Sequence, residues 1–235
     1  MNKSIFLSLV VGIACMAPTV AQTPVDPEAQ ATAHKRKGIA LQSRGQLAQA
    51  VIEYQKAIAL NHNDASSHNN LGLALKDMDL LDDAENELRA AIELRANSSN
   101  YHYNLGVVLM RKSNLAEAET QFRKAMELND KDAEVHFRLA QVLMLQGKPD
   151  DAEKAIRGAL DLKPATPMYS EMLGDVLLRL IKTEDALAAY KRAAFVLLST
   201  KHEHDFVLDN KIEYVTYLLA QSRTAAQDRG RPDAE

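Results

Sequence analysis

The sequence predicts an all-α solenoid of about five helix-turn-helix repeats closed by a C-terminal helix. Three observations carry this. First, the frame His102, Leu105, Gly106, Leu109, Ala118, Phe122, Ala125 recurs 34 residues upstream as His68, Leu71, Gly72, Leu75, Ala84, Leu88, Ala91. Downstream by the same step it becomes His136, Leu139, Ala140, Leu143, Ala152, Ile156, Ala159. Self-similarity at a period of ~20–50 residues marks stacked helical or mixed repeats. Second, the twentieth repeat position is Ala50, Ala84, Ala118, Ala152 and Ala186, and the twenty-seventh is Ala57, Ala91, Ala125, Ala159 and Ala193. Alanine at every instance of both places means that anything larger would overpack a helix contact. Third, Gly38, Gly72, Gly106, Ala140 and Gly174 keep the first helices equally small at one point. Glycine costs a helix up to ~1 kcal/mol against alanine, so close packing must offset it.

These residues resemble the tetratricopeptide repeat, whose pattern is W-x2-L-G-x2-Y…A-x3-F…P. The resemblance covers residues 31–200, as repeats 31–64, 65–98, 99–132, 133–166 and 167–200. It implies a right-handed superhelix in which the first helix of each repeat lines a concave surface that receives extended or helical peptides. It also implies a non-enzymatic scaffold for protein–protein interaction. The chain departs from the pattern in placing histidine where tryptophan is usual, and only Pro164 occupies the closing proline position.

In chain order, residues 1–21 read as a signal peptide. Lys3 precedes an apolar run from Ile5 to Met16, and Thr19-Val20-Ala21 supplies small residues for cleavage near Ala21. The apolar run is too short to span a bilayer, and no later run approaches ~18 apolar residues. A periplasmic or secreted location follows as an expectation. Cys15, the single cysteine, is either lost with this segment or becomes the lipidated N-terminus of an anchored assembly factor for a secretion, pilus or outer-membrane machine. The preceding Gly12-Ile13-Ala14 lacks the leucine expected three residues before a lipidated cysteine.

Residues 22–30 form a linker that turns into helix at Asp26-Pro27-Glu28, where a capping carboxylate precedes a first-turn proline. First helices of later repeats start after Asp64, Ser98, Asp132 and Thr166. Gly45 and Gly147 fall at the turn inside their repeats, where a left-handed residue ends a helix. Ile181 occupies that place in repeat five. Second helices open on Asn114…Glu117, a loose capping box, and on Pro149. Residues 201–223, with Phe206, Leu208, Ile212, Val215, Leu218 and Leu219 at near-helical spacing, read as a capping helix over the last apolar face. Residues 224–235 read as a disordered tail.

A net charge of −4 and a pI near 6.0 argue against a general nucleic-acid binder, which needs a basic patch. No glycine-rich phosphate loop, nucleophile elbow or paired carboxylates occur, so neither enzyme chemistry nor a cofactor is expected. His34, His68, His102 and His136 share one register, but stacked repeats hold equivalent atoms ~8–10 Å apart, too far for one zinc ion. They are expected to pack between helices. His202-Glu203-His204-Asp205 is richer in ligands, and a metal-dependent protein using the His202–His204 region is the remaining chemical alternative.

Binding has more residues behind it. With packed positions four, seven, eight and eleven on each first helix, positions five, six, nine, twelve and thirteen face away or flank. The resulting peptide-binding set is Asn70, Tyr103, Asn104, Val107, Arg111, Phe137, Arg138 and Gln141. Tyr103 and Phe137 share position five and form a candidate apolar anchor, with contact between first helices as the alternative. Asn70 and Asn104 resemble the asparagine ladder with which some superhelical relatives hold peptide backbone. Across this surface Lys35, Arg36, Lys76, Arg111, Arg138 and Arg179 outnumber Asp77, Glu134, Glu171 and Asp175, which favours an acidic partner segment. The carboxylate clamp of chaperone-binding relatives is not matched, because Ile39, Asn100 and Asn104 stand where it needs other residues.

Overall fold

The computed structural model describes residues 26–199 and 205–229. Residues 1–21, expected to be a signal peptide and carrying Cys15, and the His202–His204 run lie outside the described residues. Among the described residues eleven helices run α1 (Pro27–Gln42), α2 (Leu47–Leu60), α3 (Ala65–Asp77), α4 (Leu81–Leu94), α5 (Ser99–Arg111) and α6 (Leu115–Leu128). They continue as α7 (Ala133–Leu145), α8 (Pro149–Leu162), α9 (Pro167–Arg179), α10 (Thr183–Ser199) and α11 (Phe206–Arg229). Each odd helix packs on the even one after it, each pair packs on the next, and α11 packs on α10. No strand occurs among the described residues.

The alanine register holds throughout. Ala50, Ala84, Ala118, Ala152 and Ala186 are all 0% exposed, and the second series is equally buried. The position-eight glycines have a more particular cause than general closeness. A Cβ on Gly106 would stand 2.8 Å from the Phe122 ring, and one on Gly38 2.6 Å from that of Tyr54. The glycine therefore makes room for a large side chain from the second helix. Repeat four answers with Ala140 and the slimmer Ile156, both fully buried.

The turn inside each repeat is made by the backbone. Gly45, Asp79, Ser113, Gly147 and Ile181 all have φ between 61° and 74°. After each, an amide returns to the last turn of the first helix, as in Asn114 N to Leu109 O at 2.9 Å and Lys182 N to Leu177 O at 2.9 Å. Repeat five thus keeps the common turn with Ile181 in the left-handed region. This turn also explains why the expected capping box fails. Asn114 makes no side-chain cap and instead donates to the Glu117 carboxylate at 2.9 Å. Asp26, Asp64 and Asp132 do cap their helices, while Ser98 and Thr166 take the position without a side-chain bond.

The C-terminal helix is longer than expected. It runs to Arg229, so residues 224–229 are helical where a disordered tail was expected. Leu208 and Val215 are its buried anchors, and Lys211 reaches Glu171 at 2.7 Å and Asp175 at 2.8 Å on α9. Tyr190 donates to the same Asp175 at 2.7 Å.

Candidate protein-binding groove

The exposed faces of α5, α7 and α9 form an open groove. Met110, Arg138, Gln141, Met144, Leu145, Met172, Asp175 and Arg179 line a cavity of 500 Å³ there. The three methionines are half-buried and rest on the core, and Leu145 is 63% exposed. Flexible thioethers over an apolar floor accept side chains of varied shape.

The sequence-derived residues divide among several settings. Arg138 and Gln141 belong to this groove, joined by an Arg138 Nη1–Gln141 Oε1 bond of 3.0 Å. Arg138 also pairs with Glu134 at 2.8 Å. Tyr103 and Tyr169 donate to that same carboxylate at 3.5 and 3.3 Å, which ties repeats three, four and five together. Burial, and then Glu134, push the Tyr169 hydroxyl up to about 12. Burial also raises that of Tyr103, against a lowering bond from Arg138.

Phe137 requires a correction. It is 2% exposed, its ring lies 5.1 Å from that of Tyr169, and the Arg138 guanidinium covers it at 5.5 Å. It is a contact between first helices, and Tyr103 is half-buried with its ring 5.9 Å from that of Phe122 on α6, the second helix of its own repeat. The two aromatics therefore do not make an open anchor.

Asn104 does not join Tyr103 and Arg138. Its Nδ2 donates to Asn69 Oδ1 at 2.8 Å, and Asn69 Nδ2 donates to Asn70 Oδ1 at 3.3 Å. The two predicted amides thus form one chain through a third. Val107 is half-buried on the core. Arg111 is engaged elsewhere, donating to Lys76 O and to Asp79 at 2.8 Å each, which staples repeat three to the turn of repeat two.

The charge count shifts accordingly. Lys35 is taken by Asp64 at 2.8 Å, Lys76 by Asp77 at 3.1 Å, and Glu171 and Asp175 by Lys211. Arg179 has no ion-pair partner among the described residues and lines the groove. Sequence position already places Arg179 on this surface. Lys211, supplied by the cap, carried no signal of its own.

The register histidines are packing residues. Nδ1 of His34, His68 and His102 meets Glu53, Glu87 and Gln121 at 2.6, 2.7 and 2.8 Å within its own repeat. Among the described residues no group of three or more His, Cys, Asp or Glu could hold a metal ion. No helix among them is long and apolar enough to cross a membrane.

Stacked helix pairs with an open inner groove define a superhelical scaffold. Family models described as "TPR repeat", "Tetratricopeptide repeat" and "Tetratricopeptide repeat-like domain" match residues 38–79, 65–98 and 82–216. The chain belongs to the tetratricopeptide repeat family. As a member it is a non-enzymatic scaffold for protein interaction. No curated protein matches it. Solved structures do match. MamA shares 21% identity with a TM-score of 0.68, over 75% of this chain and 97% of that one. PilF of Pseudomonas aeruginosa shares 19% identity at 0.71, over 86% and 89%. YrrB, described as a tetratricopeptide protein with an unusual peptide-binding site, shares 21% at 0.64, over 76% and 89%. At these identities the likeness concerns the fold.

Proposed function

We propose that the chain captures a helical or extended segment of a partner protein in the groove between α5, α7 and α9. It would act in the cell envelope or outside the cell, after removal of residues 1–21. One observation carries the groove assignment: three half-buried methionines and an arginine with no ion-pair partner among the described residues line one cavity of 500 Å³ on the inner face. The partner segment would set apolar side chains on Met110, Met144 and Met172 and an acidic one near Arg179. Apolar contact supplies most of such affinity, and the charge speeds encounter and fixes direction. The signal-like first residues support export, and YrrB shows that this fold can hold a peptide.

The test places a photocrosslinking residue at Met144 or, as control, at Lys124 on the exposed face of α6. Partners should be captured from Met144 alone, and Met172→Glu with Arg179→Glu should cut capture at least tenfold, about 1.4 kcal/mol. Equal capture from both faces, or a folded double variant that captures normally, would rule the groove out. Mass of the exported protein decides the processing: a chain beginning at Gln22 supports it, and a lipidated Cys15 replaces it.

A further inference from the structure

The register of position four breaks at the C-terminal end of the array. In repeats one to three a histidine there meets a Glu or Gln from position twenty-three, and in repeats two and three its other ring nitrogen also meets a carbonyl just beyond the preceding second helix, His62 O or Ala96 O. In repeat four the partner is Ala155, and in repeat five both members are small, Ser170 and Ala189. A cavity of 260 Å³ occupies the vacated place between α8, α9 and α10.

This cavity has a built interior. Leu160, Leu173 and Leu177 give it an apolar wall. Ser170 is 1% exposed, lines the cavity, and its Oγ has no hydrogen-bond partner among the described residues. A buried hydroxyl without a partner is destabilising until something in the cavity completes it. Two cations and one anion stand at the edge. Arg157 is engaged by Glu153, and Arg192 by Pro164 O, but each guanidinium keeps unused N–H donors. Asp185 has no ion pair among the described residues.

We propose that this seam is a second, small-molecule site that takes an aliphatic α-amino acid. The carboxylate would face Arg157 and Arg192, the ammonium Asp185, and the side chain the leucine wall. Ser170 Oγ would complete its bonding with the polar head. Ser170 lies on the packed face of α9, away from Met172, Asp175 and Arg179. The site is therefore independent of the peptide groove.

The experiment is an amide-shift NMR titration of the full chain with L-leucine. Saturable shifts should localise to α9 and α10 around Ser170 and Ala189, with a dissociation constant of about 1–10 mM, the scale of a ligand this small. 4-Methylpentanoate, which lacks the ammonium, and isopentylamine, which lacks the carboxylate, should each bind about threefold more weakly, the worth of an exposed ion pair. Ser170→His with Ala189→Glu reinstates the His–Glu plug of repeat two and should abolish binding. Ser170→Ala, which only removes the hydroxyl, should weaken it and serves if the double variant does not fold. The proposal is overturned by absent saturable shifts, by shifts confined to α5 and α7, by equal binding of either half-ligand, or by unchanged binding to a folded plugged variant.

Discussion

Two small positions show how little freedom the repeat leaves a residue. Ala118 is 0% exposed in the angle between α5 and α6. Ala118→Leu adds three carbons where none fit and should cost about 1–3 kcal/mol by overpacking. Paired denaturant melts measure this, and an unchanged midpoint would contradict the packing. The turn residue Ile181 errs in the other direction. Its φ is 61°, a region that crowds a β-branched side chain, yet the side chain is 85% exposed and packs on little. Ile181→Gly should therefore stabilise by about 1 kcal/mol, since strain relief outweighs the added freedom of the unfolded chain. A lower midpoint for this variant would show that the isoleucine contributes contacts the strain argument omits.

Helices are joined across repeats by a ladder of carboxylates on the even helices. Glu85, Glu119 and Glu153 occupy one register, and each bonds the arginine four residues on: Arg89, Arg123 or Arg157. Each also takes a lysine of the next repeat, Lys112 at 2.7 Å, Lys148 at 2.8 Å or Lys182 at 2.7 Å. These lysine bonds, followed by the arginines and against burial, hold all three carboxyls below the usual range. Glu53 is held lower still, at about 2 against an ordinary 4.5, chiefly by His34 and then, against burial, by Lys37 and Lys56. A group whose pKa is lower folded than unfolded stabilises fully above its unfolded value and loses that contribution as acid carries the pH through the folded one. The urea midpoint should therefore fall between about pH 4.5 and pH 2, and Glu53→Gln should flatten the fall. The exposed rungs contribute only about 0.2–1 kcal/mol each, so the triple Glu→Gln variant should differ from wild type chiefly at low salt. This ladder was not evident in the sequence, because i,i+4 pairs can be read along one helix whereas a partner some thirty residues away depends on stacking. The same reason separates what was legible in the groove from what was not. Helix boundaries, the alanine register and the inner face of each odd helix follow from local spacing. The inward rotation of Phe137, the amide chain Asn104–Asn69–Asn70 and the Lys211 clamp follow from how one repeat sits on the next.

Over the whole molecule, stability follows from the order of contacts, since each pair touches only its neighbours along the array. The C-terminal end is the place to test that. Helix α11 covers the last pair with Leu208 at 1% and Val215 at 0% exposure, and its Lys211 pairs with both Glu171 and Asp175. Val215→Asp buries an unpaired charge in that contact and should release α11 from α10. In a solenoid the loss must then propagate from one end. Amide exchange should quicken first in α11, next in α9 and α10 as their apolar seam is uncovered, and hardly at all in α1–α4. Release also frees Glu171 and Asp175 near the groove, so an acidic partner segment should bind more weakly even though Met110, Met144 and Arg179 stay in place. Hydrogen exchange with mass spectrometry on the variant and wild type decides it. A uniform rise in exchange from α1 to α11 would mean that the array unfolds as one unit, and that the cap supports every repeat rather than the last.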